Sequence, residues 1–363
     1  MRLGRVPGVR QVPPLLRRID DRTALFESWH GGYSDNPRAI SEALARRGGQ
    51  LERLWATEDA GAPPNSRRYL EALGRARYLV TNLNMPDYFH KKSGTTYVQT
   101  WHGTPLKRIG YDIERPSFPD RRGFEERLRR DVDRWDVLVS PNRFSTEVFR
   151  RAFRYEGRII ETGYPRNDAL SSPEAARLGQ EVRNRLGVPE GVRVILYAPT
   201  WRDDASFALE LDLNRLVEEL GPDWLVLLRA HNAVADTVDA ELGPGAANVS
   251  HYPDIRDLHL AADILLTDYS SAMFDFAVTG KPMLFYTYDL AVYRDAVRGF
   301  YIDFEREAPG PLLATTAEVC DALRELTDVE RRYEDVYARF AERFCALEDG
   351  RASERVIDAV FTE

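Results

Sequence analysis

His102 stands at the centre of the run Tyr97-Val-Gln-Thr-Trp-His-Gly-Thr-Pro-Leu-Lys107, with a tryptophan before it and a glycine after it. Tyr97 to Thr100 reads as the end of a buried strand, Gly103 permits a tight turn, and Pro105 suits the first turn of a following helix. The histidine therefore stands at the carboxyl end of a strand, where open α/β sheets hold their ligands. An imidazole titrates near neutrality, which fits it to take a proton from a hydroxyl. A structural histidine that satisfies nearby backbone groups is the other reading of this position.

The second half of the chain repeats the arrangement of reactive residues directly after apolar strands. Tyr197-Ala-Pro-Thr-Trp-Arg202 offers the Thr200 hydroxyl and the Arg202 fork for a phosphate, or an Arg202 paired with Asp203 or Asp204. Leu228-Arg-Ala-His231 presents Arg229 and His231 two residues apart, on one side of an extended chain, so both can face one cleft. Ile264-Leu-Leu-Thr-Asp-Tyr-Ser-Ser271 ends in Asp268, Ser270 and Ser271 before the apolar helical stretch 272–277. Hydroxyls and free N–H groups at a helix start suit a diphosphate, although plain capping accounts for one serine.

These stations need sheets to carry them. At 363 residues the chain suits two α/β domains of roughly 150 to 180 residues each. Strands are expected at 23–28, 51–55, 77–81, 97–100, 135–140 and 158–162, with helices at 37–47 and 142–151 and Ser145 as a cap. A polar helix at 171–186 and a break at 188–191 separate a second series at 192–198, 224–229, 249–251, 264–267 and 282–285. The expected division is 1–170, a basic acceptor-side domain, and 171–363, a donor-binding domain. A helical tail at 315–361 is expected outside the second sheet, within reach of the first. Two successive βαβ series imply two doubly wound domains facing across a cleft.

Composition narrows the chemistry. The chain is 43% hydrophobic and 30% charged and contains no run of about 18 apolar residues, so no membrane-spanning helix is expected. Residues 1–10 are basic and lack the apolar core of a secretory signal, which points to the cytoplasm. Cys320 and Cys345 have neither disulfide nor zinc spacing. No Walker loop, GxGxxG, CxxC, HExxH or GxSxG is present, which argues against nucleotide hydrolysis, nicotinamide chemistry, a metal site and serine-triad hydrolysis. The formal charge of -8 is uneven: 31 Lys and Arg face 22 Asp and Glu in residues 1–170, and 19 face 36 in the remainder. A basic first half suits a polyanion or an anionic membrane surface, or merely solvated helix faces.

Thr100-Trp-His-Gly-Thr-Pro-Leu-Lys107, Gly163-Tyr-Pro-Arg-Asn167, Tyr197-Ala-Pro-Thr-Trp-Arg202, Thr267-Asp-Tyr-Ser-Ser271 and Arg298-Gly-Phe-Tyr301 together resemble the CDP-glycerol glycerophosphotransferase family of teichoic acid primases and polymerases. The resemblance runs from near Phe26 past Gly310. It implies a GT-B architecture of two Rossmann-like domains, His102 as general base and His231 as the partner steadying the transferred phosphate. It also implies Ser270 and Ser271 on the donor diphosphate. Thr200, Arg202, Arg229 and Asp268 join the expected donor site, and Lys107 and Arg298 the acceptor side. Ala230 and Asn232 depart from the family's usual bulkier residue and proline around His231. The implied donor is CDP-glycerol, with no cofactor and no nucleic acid, and the implied acceptor is lipid-linked and anionic, met at the inner face of the plasma membrane. A ribitol-phosphate transferase, a sugar-nucleotide glycosyltransferase of the same fold, or a non-enzymatic binding module for anionic lipid or nucleic acid are the alternatives.

Overall fold

The computed structural model describes residues 18–29, 31–114, 120–200, 209–230, 242–294 and 299–361. The first sheet consists of β1 (Asp20–Glu27), β2 (Glu52–Trp55), β3 (Ala76–Thr81), β4 (Thr96–Gln99), β5 (Val137–Ser140) and β6 (Arg158–Glu161). All its pairs are parallel and its spatial order is β2-β1-β3-β4-β5-β6. The second sheet consists of β7 (Arg193–Ala198), β8 (Trp224–Leu228), β9 (Ala246–Asn248), β10 (Ile264–Thr267), β11 (Met283–Tyr286) and β12 (Leu312–Leu313). It is also parallel, in the order β12-β11-β10-β7-β8-β9. Two doubly wound parallel sheets give the expected GT-B architecture.

Both sheets are covered on both faces because successive residues of their central strands are apolar, so each face presents a hydrophobic surface. Leu25, Leu79, Tyr97 and Leu138 pack with Phe149 and Phe153 on one side of the first sheet. Ala24, Phe26, Val80, Val98 and Val139 pack on the other with Ile40. In the second sheet Leu196, Leu227, Leu265 and Phe285 face one layer, and Ile195, Val226, Ile264 and Leu284 the other. The Ala352–Val360 helix follows the second sheet in sequence yet buries Val356, Ile357 and Val360 against the first.

Parallel doubly wound sheets bind ligands where the strand order reverses direction. In the first sheet that point lies between β1 and β3, and register aligns Glu27 with Thr81 and Thr81 with Gln99, so Ser28, Asn82 and Thr100 leave the sheet at one edge. In the second it lies between β7 and β10, where Ala198 is level with Thr267.

Several local expectations differ from the structure. No helix begins at Pro105; Leu106 and Arg108 instead bond to Tyr301 and Gly299 beside a Lys107–Phe300 bridge, and only a 3-10 turn at Gly110–Asp112 follows. The cap of the Arg143–Phe153 helix is Asn142, whose side chain accepts from the Ser145 amide at 2.8 Å. The strand expected at 249–251 lies at Ala246–Asn248, where pairing with Val226–Leu228 outweighs the weak strand preference of Ala-Ala-Asn. The two-residue strand β12 is too short for a sequence pattern to reveal. Among the described residues no helix is long and apolar enough to cross a membrane.

Candidate active site

The His102 ring is half-buried at the carboxyl edge of β4, between two indoles. Trp101 stacks on it with ring centroids 4.3 Å apart, and Trp29, from the loop after β1, lies at 4.9 Å. Its Nδ1 is 2.9 Å from the Asn82 carbonyl oxygen. A carbonyl only accepts, so Nδ1 carries the hydrogen and Nε2 is left with the lone pair. Burial holds the imidazole below its ordinary range; the Asn82 carbonyl and Asp35 oppose this, and the Arg166 guanidinium adds to it. At neutral pH the ring is therefore a neutral base in a fixed tautomer.

The backbone around the ring is unusual for its side chains. Trp29, Asp35 and Trp101 have φ of 34°, 62° and 52°, in the left-handed region that bulky residues avoid. Such conformations persist only where surrounding contacts enforce them, and they gather at functional sites. Here the contacts are visible: the Trp29 indole N–H donates to Asp35 at 2.7 Å, and the Asn36 side-chain amide donates to the Trp101 carbonyl at 3.3 Å.

Beneath the ring lies a buried guanidinium. Arg166 Nη1 donates to both Asp35 oxygens at 3.1 and 3.0 Å and to the His102 carbonyl at 3.0 Å. Its Nη2 donates to Asp275 at 2.6 Å, and the second Asp275 oxygen accepts from the Asn167 amide at 2.9 Å. Asp275 belongs to the Ala272–Ala277 helix, so the network crosses from one sheet's loops to the other's. Glu348 borders it, accepting from the Tyr164 amide at 3.0 Å, and burial pushes its carboxyl up to about 8. Protonated at neutral pH, Glu348 adds no third anion to the pair held by Arg166.

On the second sheet the loops after β7 and β10 are joined by Asp268, which accepts from the Thr200 amide at 2.8 Å and from the Tyr269 amide at 2.6 Å. Asp268 is buried and its carboxylate is aimed at backbone, an arrangement that shapes the two loops. Ser270 Oγ accepts from the Ala272 amide at 3.2 Å, whereas the Ser271 side chain, at the helix start, makes no capping bond. Arg229 donates to the Tyr252 carbonyl at 2.7 Å, tying β8 to the loop after β9. Arg202, His231 and Arg298 lie outside the described residues. Lys107 lies next to the 299–301 segment through its bridge to Phe300, with its ammonium 5.9 Å from the Tyr293 ring centre.

The two sets of loops touch. A Cβ built on Gly103 would lie 2.8 Å from Ser271 Oγ and 3.2 Å from its Cβ, so the glycine after the histidine is in contact with the candidate donor loop. The turn that carries His102 and the loop that carries Ser271, which the sequence points to independently, thus lie against each other.

The family description matching this chain across residues 12–362 is that of CDP-Glycerol:Poly(glycerophosphate) glycerophosphotransferase. The chain belongs to that glycerophosphotransferase family. It is 38% identical over 371 residues to the teichoic acid glycerol-phosphate transferase of Staphylococcus aureus, covering 96% of this chain and 95% of that one. It is 42% identical over 367 residues to the teichoic acid poly(glycerol phosphate) polymerase of Bacillus subtilis, where the match covers 94% of this chain but spans only 49% of the relative's length. A solved structure of the wall teichoic acid polymerase TagF superposes with a TM-score of 0.88 at 37% identity, covering 94% of this chain and 89% of that one.

For this member of the glycerophosphotransferase family, sequence patterns single out His102 and the two serines but not Asp35, Trp29 or Asp275, and they assign Arg166 no role. Arg166 stands within the Gly163-Tyr-Pro-Arg-Asn167 motif, which is the one signal that points to it. Asp35 carries none, since an aspartate at a helix start reads as ordinary dipole compensation.

Proposed function

We propose that this chain transfers glycerol phosphate from CDP-glycerol to a hydroxyl of an anionic, lipid-linked polyol-phosphate or saccharide acceptor, releasing CMP, in the synthesis of teichoic acid or a similar polymer. The observation that supports the reading is the contact of Gly103, the residue after His102, with Ser271, whose hydroxyl would suit a diphosphate. A TagF structure soaked with CDPG gives the donor class support. Residues 1–170 would form the acceptor side and 171–363 the donor side. The basic first half would meet the acceptor's phosphates at the inner membrane surface, and Lys107, with Arg298 from the second half, would serve the acceptor side.

In the proposed reaction the acceptor hydroxyl gives its proton to His102 Nε2 as its oxygen bonds to the β-phosphorus. The bond from that phosphorus to the bridging oxygen breaks, and CMP leaves with the electron pair. The transition state has little covalent demand and much charge, so positioning and hydrogen-bond donors carry the catalysis. Ser270, Ser271 and Thr200 would hold the diphosphate, with Arg202, Arg229 and His231 as cations around it, and Asp268 would fix the two loops that present them. The Ala272–Ala277 helix has only six residues, so its dipole adds less than the hydroxyls do. The Trp29 indole, 42% exposed beside the imidazole, would support the acceptor's carbon chain.

The deciding experiment supplies purified protein with CDP-glycerol and a lipid-phosphate acceptor and follows CMP, with CDP-ribitol and a UDP-sugar as comparison donors. CMP release with CDP-glycerol is expected; turnover of the UDP-sugar alone would replace the reading with glycosyl transfer. A further expectation concerns pH. Because His102 is held below the ordinary imidazole value of about 6.5, the acid limb of kcat/KM should fall below that pH. A limb above about 7 would show that another group is the base.

Gly103→Ala is a second test of the contact between the loops. The new methyl would force the Ser271 hydroxyl to turn away, so kcat/KM for CDP-glycerol should fall by about tenfold while the melting temperature changes little. Unaltered kinetics would mean that the Ser271 side chain has no part in holding the donor.

A further inference from the structure

We propose that Arg166 is a positioning residue that holds the His102 turn and the donor-holding helix in one register, a role that rests on the reaction proposed above. Its planar fork is the geometric reason. One nitrogen, Nη1, serves two carboxylate oxygens of Asp35 and the carbonyl of the histidine itself, while Nη2 serves Asp275 on the helix that starts at Ser271. Asn167, the next residue, takes the other Asp275 oxygen, so both acceptors of that carboxylate are claimed by one short turn. A lysine is a point charge on a flexible stem and cannot span these three directions.

The same turn also fixes the entry of the Asp35–Arg47 helix, since the Arg166 amide donates to the Asn36 side chain at 3.1 Å. Asn36 in turn holds the carbonyl of Trp101 at 3.3 Å. Asp35 then reaches the second sheet's loops by a second route, its amide donating to Asp254 at 3.1 Å. The histidine is thus held from both sides of its peptide by residues that answer to Arg166. With burial of this kind, displacement by a fraction of an ångström cannot be absorbed by solvent, and it is passed to the base and the donor helix together.

The charges facing His102 are Asp35, from the helix after β1, and Arg166, from the turn after β6; the Asn82 carbonyl completes its polar surroundings. Facing Arg166 are Asp35, Asp275 and the Tyr164 phenol. Removing the guanidinium charge leaves Asp35 as the charge nearest the imidazole, which favours its protonated form and moves the acid limb of the rate profile to higher pH. An arginine without electrostatic contact with the ring would not shift that limb, and an arginine that only stabilises the fold would not lower kcat per folded molecule.

The test compares the full-length parent with Arg166→Lys and Arg166→Met, measuring melting temperature, kcat and KM for CDP-glycerol by CMP release, and the pH profile. Arg166→Lys is expected to lower kcat per folded molecule by about a hundredfold with KM changed far less. Arg166→Met is expected to add an upward shift of the acid limb. Full activity in folded Arg166→Lys, or loss confined to melting temperature, overturns the assignment. Should either variant fail to fold, Asp275→Asn decides the matter, because it keeps the side-chain shape and cuts the ion pair to the donor helix. A tenfold loss of kcat, to order of magnitude, upholds the coupling, and about unchanged kcat refutes it. A parent that releases no CMP refutes the reaction itself, which is a separate result.

Discussion

Replacing His102 by alanine is expected to lower kcat for CMP release by about a hundredfold to ten-thousandfold, the range over which a positioned general base acts. The expectation comes from the lone pair on Nε2. Nδ1 is committed to the Asn82 carbonyl, two indoles bracket the ring, and Asp35 and Arg166 balance opposite charges near it. No other imidazole among the described residues occupies the carboxyl edge of β4. Alanine would also leave a gap between Trp101 and Trp29, so His102→Gln serves as the control. Its amide can still donate to the Asn82 carbonyl but cannot take up a proton at neutral pH. Both variants should therefore lose turnover alike, while glutamine keeps more of the melting temperature. If glutamine retains within about threefold of the parental kcat, the histidine is structural and the hydroxyl loses its proton elsewhere.

How much of the fold and the site is legible in the sequence depends on the distance over which each feature is determined. Strands β1, β3, β5, β7, β10 and β11 announce themselves because a buried parallel strand is apolar at nearly every position, as in Ile264-Leu-Leu-Thr267. His102 and Ser271 can be found because each directly follows such a run. The Arg166 network has no local signal: Asp35 lies 131 residues away in sequence and Asp275 lies 109 away, and a buried arginine between aspartates looks on paper like a solvated one. Trp101 is the reverse case. Its residue type argues against a left-handed backbone, and only its packing against Phe149, Phe153 and His102 makes that conformation the stable one. The segment after Pro105 looks helical for a related reason, since its actual backbone partners, Gly299 and Tyr301, are far along the chain.

The double substitution Ser270→Ala with Ser271→Ala should reduce kcat/KM for CDP-glycerol by about a hundredfold to ten-thousandfold, as two hydrogen bonds to a charged diphosphate contribute about 1.5 to 3 kcal/mol each. The single variants separate binding from folding. Ser271 makes no capping bond, so its alanine variant should lose donor affinity with almost no change in melting temperature. Ser270 accepts from the Ala272 amide, so its alanine variant should lose both donor affinity and about 0.5 to 1 kcal/mol of stability. The asymmetry follows from geometry alone: one hydroxyl braces the start of the helix and the other does not, yet both stand at the turn that touches the Gly103 loop. Steady-state kinetics with thermal melts on the three proteins resolve it. If Ser271→Ala keeps parental kcat/KM, the diphosphate is held elsewhere, and contact with Gly103 is packing between the two sheets' loops rather than the meeting of base and donor.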